Sequence, residues 1–435
     1  MAFITNKEKT SEDKEITVLY QYLDEGEKNV IVPIEVRRIE PGAFADCETI
    51  ETLLCPKNCY IGAGAFKGMT NLRKLTIGYL KHSVDSDCEW QCTFGYYFGH
   101  TEKEVKGTVL QSYRNTQRDE YRDVYYYIPS SLEEVIIQGG HIISGSAFKN
   151  CRNLKKIEIP EGVKKIDKEA FWCCSKLEEL YIPSSVEEID ETAFIGCISL
   201  KSINVSVENK KFISSGNCLI EKETKTLIKG CDNSVIPIDG SVTHIGRCAF
   251  LCCKKLETIL IPKSVQTIGK ESFSKCLNLR EFKFETDSEL CSIGDWAFCG
   301  CKSLEEIEIP FRTTSIGMEA FKDCEFLKRI KLFEYIERIY EDTFSNCKKI
   351  EEVIFDGDVN HLRDKTEVNG NTEFLRALSN CRKKIEESRE KNSDFNLVLR
   401  IEKLEHENEQ LKKDIEFLKN NINLLMQHFM NNSNK

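Results

Sequence analysis

The residues best equipped for chemistry in this 435-residue chain are its 21 cysteines and 7 histidines. Thiolates and imidazoles serve as nucleophiles and as zinc ligands, and both roles demand short, fixed spacings. Two cysteine pairs have such a spacing, Cys55-x-x-x-Cys59 and Cys88-x-x-x-Cys92. Neither is followed by a second pair at finger-like distance, and His82, His100, His141, His244, His361, His406 and His428 are scattered outside any metal-type pattern. Gly62-x-Gly64 lacks the rest of a dinucleotide fingerprint, and the sequence has no nucleophile elbow, P-loop or kinase motif. The expectation is a non-enzymatic protein with no catalytic residue, no metal and no cofactor.

Nine of the cysteines obey a different rule: Cys47, Cys151, Cys174, Cys197, Cys253, Cys276, Cys301, Cys324 and Cys347 each stand three residues after a phenylalanine. The full phrase is Ala-Phe-x-x-Cys-x-x-Leu, as in Ala170-Phe171-x-x-Cys174-x-x-Leu177 and Ala297-Phe298-x-x-Cys301-x-x-Leu304. Its phenylalanines recur every 23 residues through 148, 171 and 194, from 250 to 273, and through 298, 321 and 344. A fixed period of this size signals stacked repeats. A cysteine locked to the period then does one packing job in every turn, as a small buried hydrophobe. The expectation is a column of reduced thiols.

The elements that position this column follow from the residues around it. After the Leu comes x-x-Ile-x-Ile, often with Pro behind it, as in Leu154-x-x-Ile157-x-Ile159-Pro160. Alternation of period two is a half-buried strand, and Pro ends it. The Phe–Cys–Leu half, spaced at three, suits a short helical or 3₁₀ turn. Each coil is therefore read as one short strand, a turn and a return segment, with strands of successive coils pairing in parallel. Exposed strand positions alternate in charge between coils (Lys155 and Lys156; Glu178 and Glu179; Glu305, Glu306 and Glu308; Lys328, Arg329 and Lys331), which predicts a self-complementary ladder that holds register.

The unit Ile245-Gly246-x-x-Ala249-Phe250-x-x-Cys253-x-x-Leu256-x-x-Ile259-x-Ile261-Pro262-x-Ser264-Val265 resembles the BspA-type (Treponema pallidum-type) leucine-rich repeat. Phe94-Gly95-Tyr96-Tyr97-Phe98-Gly99, followed by Ile128-Pro129-Ser130-Ser131-Leu132, is similar to that family's long insertion, and 212–228 to its degenerate coil. The resemblance implies an α/β repeat fold, a right-handed, curved leucine-rich-repeat solenoid, and a binding or adhesion role.

The organisation expected from these signals has a disordered N-terminus over 1–15 and a solenoid over 16–356. A linker over 357–371 and a C-terminal helix over 372–435 follow. The period breaks twice, between Phe66 and Phe148 and between Phe194 and Phe250. The first break holds an aromatic-rich insertion over 79–127, and insertions in repeat proteins collect on one face. Trp90, Tyr96, Tyr97, Tyr113, Tyr121 and Tyr125, with Tyr181 on a strand, are the candidate contacts with a protein partner. The same aromatics would serve equally as filling for degenerate coils.

Beyond 394 a heptad takes over, predicting an all-α coiled coil over 394–430. Ile401, Asn408, Ile415, Ile422 and Phe429 fall at a, and Leu397, Leu404, Leu411, Leu418 and Leu425 at d. Ile at a with Leu at d and one Asn at a favours a parallel dimer. Arg400 would face Glu405 of a second copy, Glu407 would face Lys412, and Asp414 would face Lys419, all opposite in sign. A parallel homodimer is expected, and a different coiled-coil partner is the alternative. The net charge of -10 disfavours nucleic acid, and no apolar run is long enough for membrane insertion. Polar residues fill the first fifteen positions and the cysteine count is odd, so a reducing, cytoplasmic location is expected, with adhesin-like surface display by leaderless export as the alternative.

Overall fold

A computed structural model describes residues 2–80, 94–99, 106–115, 122–337, 339–340, 342–356, 374–381, 383, 403–404 and 408–413. Two compact units are distinguished, 1–375 and 376–435.

The Ile-x-Ile segments are the long strands of the first unit, each paired in parallel with its counterpart one coil on. Val30, Leu53, Leu75, Val135 and Ile157 lie in one row of a five-stranded sheet. Leu180 with Ile203, Ile259 with Phe282, and Ile307 with Ile330 and Val353 continue the pattern. All of these side chains are buried. Strand Lys74–Ile77 pairs directly with Glu134–Ile137, so the insertion between them leaves the sheet unbroken.

Each coil also has a second strand that the sequence reading had as turn. Ile143, Ile166 and Ile189 form one row, and Ile245, Ile268, Ile293 and Ile316 another. These strands are only two residues long, for example Lys165–Ile166. Two residues cannot show an alternation, so the pattern was invisible locally.

Of the two forms expected for the return segments, a short helix or a 3₁₀ turn, the structure has 3₁₀-type turns. Successive i→i+3 bonds are present, as Cys151 N to Phe148 O at 3.0 Å and Leu154 N to Cys151 O at 3.2 Å. The residue before each repeat cysteine is left-handed, however: Asp46, Asn150, Cys173, Cys252, Lys275, Asp323 and Asn346, with Gly196 and Gly300 in the same role. One left-handed residue stops an α-helix and costs a non-glycine about 1–2 kcal/mol. Its N–H is redirected to the next coil, Asn150 to Trp172 O at 2.7 Å and Cys173 to Ile195 O at 2.8 Å. The lateral bond thus offsets the strain, and the return side becomes a second ladder of backbone bonds.

Between the ladders lies the core. The repeat phenylalanines stack nearly face to face, with centroids 5.4 Å apart for Phe148–Phe171 and Phe171–Phe194. Spacings run from 4.9 to 5.5 Å along Phe250, Phe273, Phe298, Phe321 and Phe344. Phe374 ends this stack 4.7 Å from Phe344. Beside it runs the thiol column. Six of the nine thiols donate to the carbonyl of the preceding coil's phenylalanine: Cys174 to Phe148 O at 3.2 Å, Cys197 to Phe171 O at 3.3 Å, Cys276 to Phe250 O at 3.2 Å, Cys301 to Phe273 O at 3.1 Å, Cys324 to Phe298 O at 3.3 Å, and Cys347 to Phe321 O at 3.0 Å. The cysteine is therefore a donor as well as a filler, a role its spacing did not disclose.

The expected disorder over 1–15 is also corrected. Phe3–Lys9 pairs antiparallel with Glu15–Tyr22, which in turn pairs in parallel with Val36–Ile39. The hairpin is charged because one face meets solvent, with Lys7–Glu15 at 3.1 Å and Lys9–Asp13 at 2.8 Å. Phe3 packs on Tyr22 at 5.1 Å. Polarity was mistaken for disorder where an edge strand needs a wet face.

The strand charges pair between coils as expected. Lys155 meets Glu133 at 2.9 Å, Lys201 meets Glu178 at 2.8 Å, Lys328 meets Glu305 at 2.9 Å, and Lys331 meets Glu308 at 2.6 Å. These groups are largely solvated, so each pair contributes about 1 kcal/mol or less. The second break is a three-stranded antiparallel piece, Phe212–Ser215, Cys218–Glu221 and Thr226–Lys229, whose last strand pairs in parallel with His244–Ile245.

In the second unit, 376–381, 383, 403–404 and 408–413 are helical. The linker over 357–371 and seam positions Leu397, Ile401, Ile415, Leu418, Ile422 and Leu425 lie outside the described residues, as does Phe429.

Candidate functional site

The candidate site is the first break, and it divides into a buried half and an outward half. The buried half is Phe94–Phe98, a 3₁₀ turn. It replaces a return segment: Gly64 N donates to Tyr96 O at 2.8 Å, Phe66 N to Tyr97 O at 2.9 Å, and Phe94 N to Ala147 O at 2.9 Å. Its rings carry the aromatic stack across the break, Phe66 to Phe98 at 6.0 Å, Phe98 to Phe94 at 5.5 Å, and Phe94 to Phe148 at 5.0 Å. Tyr97 is 3 % exposed and lies edge-on to Phe94, with its hydroxyl donating to Tyr79 O at 3.2 Å. It belongs to the core and is withdrawn from the partner contacts, because the coil needs aromatic volume where its repeat phrase is missing. Tyr96 is half-buried.

The outward half is a hairpin. Thr108–Asn115 pairs antiparallel with Arg122–Pro129, setting Leu110 opposite Tyr127, Gln111 opposite Tyr126, and Ser112 opposite Tyr125. Because side chains alternate faces, Gln111 and Tyr126 point inward and are buried. Leu110, Tyr125 and Tyr127 share the other face, with Leu110 41 % exposed and both tyrosines half-buried. Tyr113 has its backbone in the hairpin, and Trp90 and Tyr121 lie outside the described residues.

Gln111 anchors the hairpin to the array. Its Nε2 donates to Ala147 O at 3.2 Å and Lys149 O at 2.8 Å, while its Oε1 accepts from Gly95 N at 2.7 Å. A side chain at position 95 would collide with Tyr126 and Gln111, a Cβ coming within 2.4 Å and 2.6 Å of them. Gln111→Leu is expected to strand these buried polar groups and cost about 2–4 kcal/mol. Urea unfolding reads the loss, and limited proteolysis reads release of the hairpin. Unchanged curves in both would show the anchor to be dispensable.

On the strand face Tyr181 is 50 % exposed and Leu260 48 % exposed. Both stand at the outward position where other coils place Glu158, Glu308 or Lys331. Leu260 was missed, although an apolar residue in a charged row is a readable signal. Gln111 had no such signal, since its importance comes from two coils meeting around it. A polar cleft of about 460 Å³ opens near the N-terminal turns. Its cations are already paired, Lys28 with Glu51 at 2.7 Å and Arg73 with Glu51 at 3.8 Å, so it offers little free charge.

Among the described residues no cluster of His, Cys, Asp and Glu could hold a metal ion. Cys55 and Cys59 are buried. Burial pushes the Cys59 thiol up to about 12 and Cys55 well above its ordinary value, the reverse of what a thiolate ligand or nucleophile needs. Cys88 and Cys92 lie outside the described residues. Among the described residues no helix is long and apolar enough to cross a membrane.

The fold has known counterparts. A leucine-rich cell surface protein from Faecalibacterium prausnitzii is similar over 84 % of this chain and 97 % of its own, with 21 % identity and a TM-score of 0.53. The pneumococcal vaccine antigen PcpA is similar over 85 % of this chain and 87 % of its own, with 17 % identity and a TM-score of 0.52. At these identities the likeness is one of fold. No curated protein matches the sequence. The family model for the BspA type leucine rich repeat region matches residues 24–94, 121–222 and 243–366, in six copies. Because that match spans well over half of the sequence, this chain belongs to the BspA-type leucine-rich repeat family.

Proposed function

We propose that this protein is a non-enzymatic interaction protein that binds a protein partner through the outward face of the hairpin and neighbouring strand positions. The observation that carries the reading is the hairpin itself. It is an antiparallel pair inserted into a parallel array, anchored by Gln111 on its inner face and presenting Leu110, Tyr125 and Tyr127 on its outer face. Tyrosine supplies large contact area with a polar tip and few rotors, which suits protein recognition. Tyr96 and Tyr181 extend the proposed contact set, together with Trp90, Tyr113 and Tyr121. Affinity capture with the intact chain and with Leu110→Asp/Tyr127→Ser tests it. The same captured partner with equal recovery on both would sink this surface.

Dimerisation through a parallel coiled coil is the second part of the proposal. Leu404 and Leu411, one heptad apart, are helical and 55 % and 58 % exposed, with Asn408 exposed between them. Exposed leucines at that spacing are a seam awaiting a partner. Leu404→Lys/Leu411→Lys is expected to convert a dimer to a monomer in sedimentation equilibrium of the full chain. A wild-type monomer at tens of micromolar would exclude homodimerisation.

Nineteen cysteines among the described residues are free, which favours a reducing compartment. Surface display is the competing reading, supported by the neighbour described as a cell surface protein. Labelling intact cells with a membrane-impermeant thiol reagent separates them through exposed Cys291.

A further inference from the structure

The second break holds a group that neither the repeat nor the proposed interaction surface uses. In the regular coils the residue before the repeat phenylalanine is a fully buried alanine, as Ala147, Ala170, Ala193 and Ala249. In the irregular coil the same rung of the return ladder is Lys229-Gly230. Gly230 N donates to Ala249 O at 3.0 Å, as Phe148 N donates to Ala170 O at 2.7 Å. Gly230 thus stands where a phenylalanine belongs, and Lys229 stands where an alanine belongs. The Lys229 side chain is only 2 % exposed, and its ammonium has no hydrogen-bond partner among the described residues.

Among the described residues no carboxylate pairs with this ammonium. Cys197 precedes this coil in the thiol column and Cys253 follows it. Burial pushes both thiols up to about 12, and the Lys229 charge opposes the shift in each, as a nearby cation does. The forward bonds that Phe171 and Cys173 make to the next coil have no counterparts from Phe194 and Gly196 among the described residues, which leaves two more N–H donors on this side. The nearby carboxylates are turned to other work. Asp232 accepts from Lys255 N at 3.0 Å, and Glu271 lies 3.9 Å from Arg247.

We propose that Lys229, flanked by Cys197 and Cys253, forms a buried binding site for a small inorganic anion of the halide class. An ammonium taken out of water needs an opposite charge, and an anion beside it would also satisfy the N–H groups of Phe194 and Gly196. The fit favours a monoatomic ion over an oxyanion. The surroundings are tightly packed: Lys229 is only 2 % exposed, and a Cβ added at the adjacent Gly230 would lie 2.2 Å from the Phe250 ring. The bound ion would tie the irregular coil to the return segments before and after it, where the thiol–carbonyl bonds of the regular array lapse.

The test uses the full chain at constant ionic strength, with chloride replaced stepwise by gluconate. The melting temperature is expected to rise by a few degrees with chloride and then saturate, as for any ligand of the native state. Lys229→Met should be insensitive to the exchange. A bromide-soaked crystal of the wild-type protein should show anomalous density between Cys197 and Cys253. Identical wild-type melting in chloride and gluconate would overturn the proposal, as would a chloride response retained in Lys229→Met. If that variant fails to fold, the crystal decides: bromide at surface positions alone, an adventitious ion only, overturns it.

Discussion

Raising the pH from 8 to about 10 is expected to unfold the repeat array. The cause is the thiol column. Cys151, Cys174, Cys197, Cys253, Cys276, Cys301 and Cys324 are buried, and desolvation raises every one of them above the ordinary thiol value. The sign follows from linkage. A folded value raised above the unfolded one contributes stability that is complete below the unfolded value, near 9, and is lost as pH rises toward the folded value. In that window the unfolded chain releases protons that the folded chain must keep. Each thiol then costs about 1.4 kcal/mol per pH unit. The seven together cost on the order of 10 kcal/mol by about pH 10, comparable to the roughly 5–15 kcal/mol that holds a domain together. Circular dichroism of the strand signal against pH, with thiolate absorbance near 240 nm in parallel, should show both changing in one transition. Thiolate absorbance appearing near pH 9 with the strand signal intact would show that the column is open to solvent.

Phe298→Ala is expected to be the most damaging single truncation in the array, at about 3–5 kcal/mol. The ring is fully buried, stacked 5.5 Å from Phe273 and 5.0 Å from Phe321, with Phe282 edge-on at 4.6 Å. No side chain can reach across the stack to fill the space, since both neighbours are fixed by their own coils. In a repeat array stability is a sum of coil terms and nearest-neighbour terms, so the variant also weakens coupling between the coils on either side. Urea unfolding should shift to a lower midpoint and broaden or split, and hydrogen exchange should quicken first around 293–309. Tyr181→Ala, at an exposed ring, is the control and should stay within about 0.5 kcal/mol. Equal effects from the two would mean the stack carries no special weight.

Much of this molecule is legible in its sequence because a repeat is self-reporting. One phrase written many times shows which positions are buried, since only a shared packing role keeps Phe, Cys and Leu at a constant offset. The parallel strands follow from Ile-x-Ile, and the charge ladder from opposite signs in successive coils. Legibility fails where information lies between coils. The left-handed residues before each repeat cysteine range over Asp, Asn, Cys, Lys and Gly, so no residue type announces them. They persist because most of their N–H groups meet a carbonyl one coil away, as from Asp46, Asn150, Cys173, Cys252, Lys275 and Asp323. The charged N-terminal hairpin read as disorder for the same reason, its stability coming from the edge it covers.

The candidate site divides along this line. Its position was readable as the place where the period lapses, and its aromatic content was plain. Which aromatics pack inward was not readable, because Tyr97 and Tyr125 look alike in sequence. A 3₁₀ turn sends the first beside Phe94, and hairpin alternation sends the second outward. Gln111 and Lys229 are the same lesson in polar form, ordinary residues whose weight comes from the carbonyls or thiols brought around them.

By itself the sequence determined the period, the buried phrase, the parallel pairing and the places where the period breaks, since these depend on local alternation and repetition. Only the tertiary structure decided the second strand, the left-handed ladder, the thiol–carbonyl bonds, and the division of the insertion into core and surface. Those features are bonds and contacts between residues well separated in sequence, where the partner's backbone, not the residue's own type, sets the outcome.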